Sequence, residues 1–188
     1  GDIIISEIYC NVKGSDTKYG YLEFVEIYNQ GPDSFYELEN IKIEDLSDTN
    51  DIFKILRDNG KSRLDMEEFA LIVDPDYPLE DNPLSIADSI LLITVSSDRT
   101  IGNTLKNKDE CVFLKIQGIL VDQFCWEEDP GDGISWERKN IQEKDSESYW
   151  GFNTDTFGCS PGYYSGSQFT EKTGPLVKGY HIKSNHII

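Results

Sequence analysis

The stretch YLEFVEIYNQG, residues 21–31, decides the fold of this chain. Five of its first eight residues are aromatic or β-branched, and it ends in Asn-Gln-Gly before Pro32, which is a turn signal. The pattern therefore predicts a β-strand. Apolar residues lie on both faces of this strand, with Phe24 and Tyr28 on one face and Val25 and Ile27 on the other. This is typical of a central strand that is covered on both faces.

Eight further segments outside this stretch have strand character, which gives about nine strands in all. They are short, rich in β-branched and aromatic residues, and separated by Gly, Pro, Asn and Asp. We see no long amphipathic helix. The chain therefore predicts an all-β sandwich or barrel, with further strands at Ile3–Tyr9, 33–45, 52–55, Phe69–Val73, 90–95, 111–116, Ile119–Trp126 and 134–139.

The charge balance restricts the possible partners. The 188 residues contain 17 basic and 35 acidic side chains, for a formal net charge of −18. Nucleic acid and anionic membrane surfaces would be repelled, whereas cations, neutral sugars and basic proteins are compatible. No apolar run approaches the ~20 residues that cross a bilayer, so we expect no membrane insertion. The first residues lack the basic start of a signal peptide, so an exported protein would have had its signal removed.

The four cysteines leave their pairing open. Cys10, Cys111, Cys125 and Cys159 have none of the paired spacings of a zinc site, and three disulfide connectivities are possible. Cys111 and Cys125 flank a hairpin turn at Gln117-Gly118, which places them at similar heights on neighbouring strands. A bridge and a pair of small buried thiols are both compatible with this pattern.

The two histidines, His181 and His186, are both near the end of the chain. Residues 1–180 therefore offer no imidazole for a Ser-His or Cys-His pair. Glycine-rich phosphate loops are also missing from the sequence. We therefore expect a protein that is not an enzyme.

Five sequence blocks, in this order, resemble the bacterial lamin tail domain family. The opening IIISEIY and the following EFVEIYN resemble its first two strands, and GILVDQF at 118–124 resembles its return strand. The block DGISWER at 132–138 resembles its "G-x-S-hydrophobic-x-R" strand. Trp150 followed by Ser160-Pro161-Gly162 resembles its closing signature.

The resemblance implies an immunoglobulin-like β-sandwich over residues 1–165, followed by a C-terminal extension at 166–188 that forms an edge strand or a linker. It also implies an extracellular or cell-surface bacterial protein, in which such domains accompany nuclease, hydrolase or anchoring modules and have no chemistry of their own. Cys125, Cys159 and the long acidic segment 45–83 depart from the family pattern. The family has no dependable ligand site, so no binding residue follows from it.

Arg138 is the candidate for a structural ion pair. Its forked guanidinium can bind a carboxylate in a bidentate manner and stack on an indole, and Trp136 and Trp150 are near it in sequence. Glu7 and Glu26 are carboxylates on otherwise apolar strands, which need a partner if they are buried. We therefore predict that Arg138 pairs with Glu7 or Glu26. A solvated Arg138 on the surface is the alternative.

Acidic loops are the candidate metal sites, because clustered carboxylates supply the hard oxygen ligands that Ca²⁺ prefers. No loop has EF-hand spacing, and solvated acidic loops in a very acidic protein are the alternative interpretation. No other cofactor is expected. The candidate calcium ligands are Asp45, Asp48 and Asp51 in one loop and Asp129 and Asp132 in another.

Aromatic residues crowd between positions 126 and 164, among Gly, Ser and Asn. If they are exposed together, they would form a platform that stacks on sugar rings or on a protein partner. The alternative is that they close one end of the core. The candidate platform residues are Trp126, Trp136, Tyr149, Trp150, Tyr163 and Tyr164, with Phe152 and Phe157 beside them.

Two functions are compatible with these observations. The first is a non-catalytic interaction or structural module of a larger exported protein, with a protein or neutral carbohydrate as its partner. The second is a carbohydrate-binding accessory domain of a secreted hydrolase, with calcium stabilising an acidic loop. A solvent-facing tryptophan in a groove would favour the second. The oligomeric state does not follow from the sequence.

Overall fold

The computed structural model describes residues 3–36, 38–46, 50–57, 61, 63–95, 100–101, 104–141 and 150–168, and gives no side-chain surroundings for residues 39 and 50–57. Ten strands lie in this part of the chain, close to the predicted nine. Their bounds are β1 Ile3–Tyr9, β2 Phe24–Asn29, β3 Ile41–Glu44, β4 Asn50–Arg57, β5 Phe69–Val73, β6 Leu91–Val95, β7 Glu110–Ile116, β8 Ile119–Trp126, β9 Trp136–Arg138 and β10 Trp150–Phe152.

The strands form two facing sheets that share β4. The first sheet has the order β10-β9-β1-β2-β5-β6-β4, and the second continues as β4-β3-β7-β8. The start of β4 pairs with β3 and its later residues pair with β6, so this strand passes from one sheet to the other. All pairings are antiparallel except β5 with β6. The predicted all-β sandwich is confirmed.

The main core lies between the two sheets. Val25, Ile27 and Ile72 of the first sheet share it with Ile43 and Leu114 of the second, and all five side chains are buried. Burying each such side chain contributes about 1.5–3 kcal/mol. The core therefore holds the two layers face to face.

The outer face of the first sheet is also buried, as the two-sided apolar pattern of residues 24–28 predicts. Phe24, Leu71 and Leu92 point outward into a second apolar cluster. Loops cover this cluster, because residues 74–90 connect the parallel strands β5 and β6 across it and contribute the buried Tyr77. The loop before β2 also contributes to the cover.

Helical structure is short in the described residues. The α-helix α1 spans Asp16–Tyr19, and 3₁₀ turns span Gly20–Leu22 and Leu38–Asn40. The sequence predicted no long helix, and the four residues of α1 make just one helical turn. Most of the predicted extension 166–188 lies outside the described residues. Ser167, however, still contacts the domain through Glu137.

Candidate binding groove

Three buried glutamates lie side by side on the outer face of the first sheet. Glu7 on β1 is directly opposite Glu137 on β9 and Glu26 on β2. Directly opposed residues of antiparallel strands point to the same face, so the three carboxylates form a row across three neighbouring strands. We call Glu137, Glu7 and Glu26 the glutamate row. All three side chains are buried, so each carboxylate needs hydrogen-bond donors.

The donors come mainly from residues 159–167, which we call the closing segment. The Ser160 backbone N–H donates to Glu7 at 2.9 Å, and the Gly162 N–H donates to Glu26 at 2.6 Å. The Ser167 hydroxyl donates to Glu137 at 2.6 Å. The glutamate row therefore fastens the closing segment across the outer face, with each carboxylate holding one part of it.

Burial raises the pKa of two members of the glutamate row, Glu7 and Glu26. Desolvation raises the pKa of Glu7 to about 7, although hydrogen bonds from Ser135 and Ser160 act in the opposite direction. Desolvation, followed by the neighbouring charge of Glu7, raises the pKa of Glu26 well above its usual value. Two adjacent carboxylates in a dry site cannot both ionise cheaply. Glu7 and Glu26, which both bind the closing segment, therefore hold protons well above the usual carboxylate range.

Glycine is required where the closing segment passes Glu26. Gly162 has a φ of +86°, and a Cβ added there would lie 2.6 Å from Cγ1 of Ile90. A side chain at this position would therefore meet both backbone strain and a clash with the loop 74–90. The small residue lets the Gly162 N–H approach the Glu26 carboxylate closely.

Beside the closing segment lies an open groove of about 490 Å³. The buried side chains of Tyr9, Leu22 and Cys159 form its floor. Phe157 and Tyr163 stand at its edge, with 76% and 43% of their surfaces exposed. The remaining lining residues are Val12, Lys13 and Tyr19 from the loop before β2, Pro83 and Leu84 from the loop 74–90, and Thr156 next to Phe157.

A chain of hydrogen bonds connects the groove to the glutamate row. The Asn153 side-chain amide donates to Glu7 at 3.2 Å, and its carbonyl accepts the Asp155 N–H at 2.7 Å. The Asp155 carboxylate in turn accepts the Phe157 N–H at 3.1 Å. The exposed ring of Phe157 therefore projects from backbone that is fixed to the buried sheet. Such pre-organisation lowers the entropic cost of binding.

The predicted pairing of Arg138 with Glu7 or Glu26 is wrong. Arg138 pairs with Asp122 on β8 at 2.7 Å and donates from Nε to the Ile5 carbonyl at 2.8 Å. Glu137 shares the face of Glu7, so its neighbour Arg138 points to the opposite face, into the space between the sheets. The expected stacking on an indole is present, with the guanidinium 4.9 Å from the Trp150 ring centroid.

The tryptophans do not form an exposed platform. Trp126 and Trp136 belong to the main core, with only 3% and 7% of their surfaces exposed. Trp150 is half-buried and stacks on Phe124 with 3.9 Å between ring centroids. Phe152 packs on Trp136 at the sheet edge, 4.6 Å between centroids. The core interpretation therefore holds for the three tryptophans, whereas Phe152 has 37% of its surface exposed.

The exposed members of the predicted platform are two tyrosines. Tyr163 lines the groove and also a second depression of about 310 Å³, which Tyr164 shares with it. The Tyr164 hydroxyl is hydrogen-bonded to that of Tyr28 at 2.8 Å. Tyr149 lies outside the described residues. The expected exposure therefore holds for Tyr163 and Tyr164, and the sequence pattern did not separate them from the buried aromatic residues.

The candidate calcium ligands that are described have other roles. The Asp129 carboxylate accepts from the Asn11 side chain at 2.7 Å, and Asp132 accepts the Gly14 N–H at 2.6 Å, so both brace the loop before β2. Asp45 is buried. Asp48 and the side chain of Asp51 lie outside the described residues. Where the structure describes side chains, no group of three or more Asp, Glu, Cys or His residues is arranged to hold a metal ion.

One disulfide is present among the four cysteines. Cys111 and Cys125 lie directly opposite each other on β7 and β8 and are bonded. Cys10 and Cys159 are buried free thiols. The hairpin inferred from Gln117-Gly118 placed these two cysteines at the same height, and the structure decides between the two alternatives in favour of a bridge.

Two parts of this site were not predicted from the sequence. Glu137 was overlooked as the third member of the glutamate row, although its place between Trp136 and Arg138 on a short strand was a usable signal. The groove was also overlooked, because its walls come from three loops that are far apart in sequence. An exposed aromatic residue in the polar run NTDTFGCSPG was the available clue to Phe157.

Comparison with protein-family models, with curated proteins and with solved structures finds no match to this chain. Among the helices described, none has the length and apolar character needed to cross a membrane.

Proposed function

We propose that this chain is a non-catalytic interaction module of a larger exported protein, with a lamin-tail-like sandwich fold, and that it binds its partner in the groove beside the closing segment. One observation carries this proposal. Phe157 and Tyr163 stand exposed at the edge of a concave apolar surface, and hydrogen bonds of the Phe157 backbone and the Tyr163 hydroxyl hold them there. Large apolar rings held in solvent at a groove are typical of recognition sites.

The contacts of the closing segment support the lamin-tail-like assignment. Glu7 comes from the IIISEIY block and Glu26 from the EFVEIYN block, and both bind backbone N–H groups of the Ser160-Pro161-Gly162 block. Three of the blocks that carry the resemblance therefore contact one another. The contact explains the residues of these blocks, because it needs a glutamate on each strand and a backbone N–H that can approach each carboxylate closely.

The Cys111–Cys125 disulfide supports the exported location. Disulfides persist in oxidising compartments such as the bacterial cell surface and are rare in the cytosol. The bridge links two strands of an edge hairpin, where it adds covalent stability to the exposed side of the second sheet.

Carbohydrate binding is the second candidate. The exposed rings of Phe157 and Tyr163 offer faces on which a sugar could stack. The tryptophan that would favour this function is not in the groove, because Trp126 and Trp136 are buried in the core. We therefore place protein binding first.

A pair of arrays tests the proposal. The protein is probed against a synthetic peptide array and a glycan array, together with Phe157→Ala and the control Ile119→Ala. Both residues are large, apolar and exposed, but Ile119 lies at the β7–β8 hairpin and does not line the groove. We expect binding that falls at least about tenfold in Phe157→Ala only. No binding on either array, or equal loss in both variants, would overturn the proposal.

A further inference from the structure

One of the loops that line the groove is strongly acidic. The loop 74–90, which supplies Pro83 and Leu84 to the groove, contains five acidic residues and no Lys or Arg. Four of these carboxylates belong to exposed residues, namely Asp76, Glu80, Asp81 and Asp88. Glu80 and Asp81 precede Pro83 by three and two positions, so exposed carboxylates lie next in sequence to the groove-lining part of this loop.

The opposite side of the groove adds further acidic groups. Burial raises the pKa of Tyr163 to about 12, and the nearby carboxylate of Asp155 adds to this shift. Burial also raises the pKa of Tyr9 in the floor, and the nearby charge of Asp132 adds to that shift. Lys13 is the charged residue that lines the groove itself, and Lys18 lies over the Tyr19 ring at 4.7 Å. The surroundings of the groove remain acidic on balance.

The lining offers few groups that recognise sugar hydroxyls. Among the lining residues there is no Asp, Glu, Asn or Gln. The Tyr9 hydroxyl already accepts the Lys13 N–H at 3.1 Å, and the Tyr163 hydroxyl donates to the Cys159 carbonyl at 3.4 Å. Binding sites need a small number of well-placed polar groups to orient a polar ligand. The lining is better suited to an apolar side chain than to a sugar ring.

From this arrangement we infer that the groove binds a segment of a protein partner in which an aromatic or large aliphatic side chain is flanked by Lys or Arg. The apolar side chain fills the space between Phe157 and the floor, and the flanking cations lie against the acidic loop 74–90. This inference rests on the proposed function and specifies its partner. Charge complementarity of this kind increases the association rate and selects among partners.

Three nine-residue peptides test the inference. Each has a central Phe and is flanked by Lys, by Gln or by Glu, and its affinity for the full chain is measured by titration calorimetry at 50 and 300 mM NaCl. We expect the Lys peptide to bind at least about tenfold more tightly than the Glu peptide at low salt. Its affinity should fall several-fold at high salt, since exposed charges are screened beyond about 10 Å at 0.1 M.

Two charge variants locate the effect. Glu80→Gln with Asp81→Asn should weaken the Lys peptide at least about threefold and leave the Gln peptide unchanged. Asp33→Asn with Asp109→Asn removes the same charge at two exposed positions outside the groove walls and should change neither.

The remaining outcomes separate this inference from the proposed function. Equal affinity for the three peptides, with loss in Phe157→Ala, would overturn the charge preference and leave the groove as a binding site. Glycan binding that depends on Phe157, without peptide binding, would assign the groove to a sugar and overturn the inference. If a peptide with the sequence of residues 169–188 binds more tightly than the Lys peptide, the occupant of the groove is a segment of this chain. That result would also overturn the inference. If no probe binds, the proposed function itself fails.

Discussion

Glu7 and Glu26 lie directly opposite each other on β1 and β2, and each accepts a backbone N–H from the same closing segment. Two acidic side chains would ordinarily avoid such a position, because burial and mutual repulsion both oppose ionisation. Here the two carboxyl groups act as acceptors for Ser160 and Gly162. They stabilise the fold because they accept hydrogen bonds, and not because they are charged. Several measurable consequences follow.

The first consequence concerns Glu26. Glu26→Ala removes the acceptor for both Gly162 and the Ser6 hydroxyl and leaves these donors unpaired in a buried site. We expect it to lower the free energy of unfolding by about 3 kcal/mol. Glu26→Gln keeps one acceptor oxygen and needs no proton, so we expect it to cost less than about 1 kcal/mol at pH 7. Chemical denaturation measures both values. Equal losses in Ala and Gln would show that the hydrogen bonds are not the stabilising factor.

The second prediction concerns pH. The folded protein holds a proton on Glu7 up to about pH 7, whereas an unfolded chain releases it near 4.5. This contribution to the free energy of unfolding is therefore complete below pH 4.5 and is lost as the pH rises through 7, by about 3 kcal/mol in total. Denaturation curves between pH 4.5 and 8 should show this decrease, and Glu7→Gln should reduce its slope.

Other groups titrate in the same range, so the comparison of slopes reports Glu7 together with the carboxyl group coupled to it. Burial raises the pKa of Glu23 to about 9, and this residue titrates in both proteins. Glu26 remains in Glu7→Gln, but loss of the Glu7 charge lowers the pKa of Glu26, so part of the change in slope comes from this coupled neighbour. A slope that is the same with and without Glu7 would contradict the prediction.

A third prediction concerns the two glycines of residues 162–166. Gly162→Ala forces a side chain into a φ of +86° and against Ile90, so we expect a loss of about 1–3 kcal/mol in the free energy of unfolding. Gly166→Ala is the matched control, because an added Cβ there has no atom within 4 Å. We expect it to remain within about 0.5 kcal/mol of the unsubstituted protein. Thermal unfolding of the two variants provides the comparison, and similar stabilities would refute the steric argument.

The fourth prediction concerns the buried ion pair. Asp122→Asn removes the carboxylate charge that pairs with the buried Arg138 guanidinium at 2.7 Å, and we expect the free energy of unfolding to fall by about 3–5 kcal/mol. Replacing both partners, with Arg138→Met and Asp122→Leu, should cost less than the single change, because no charge remains buried. Urea denaturation of the three proteins tests this ordering. A double variant that is less stable than Asp122→Asn would contradict it.

Much of the fold could be predicted from residue patterns. The two-sided apolar pattern of residues 24–28 correctly indicated a central strand, and the hairpin glycine at 118 correctly placed Cys111 opposite Cys125. The partner of Arg138 could not be predicted, because it depends on which face of β9 each residue takes. The pairing of Glu137 with Glu7 decides which residues of β9 face outward. The strand β1 has an irregularity between Ile5 and Glu7, so simple alternation along the sequence does not give the face of each residue.

The groove was harder to predict than the sheets. Its members Leu22, Leu84 and Phe157 come from three connections that meet only after the strands pair. The local sequence of each connection indicates only a polar loop. Loops have no regular spacing of apolar residues, so their sequences do not show that they meet at one surface. Trp126 and Tyr163 also look alike in sequence. The first alternates with exposed residues on a strand, and the second lies in a turn.

The position of β1 has a consequence for biosynthesis. The N-terminal strand lies in the interior of its sheet, between β2 and β9, and Ser135, next to β9, is 128 positions beyond Glu7. At roughly 5–20 residues per second, a ribosome needs on the order of ten seconds to supply that partner. Until then the nascent chain keeps one edge of its first strand unpaired, so the domain completes itself only when its last third has emerged.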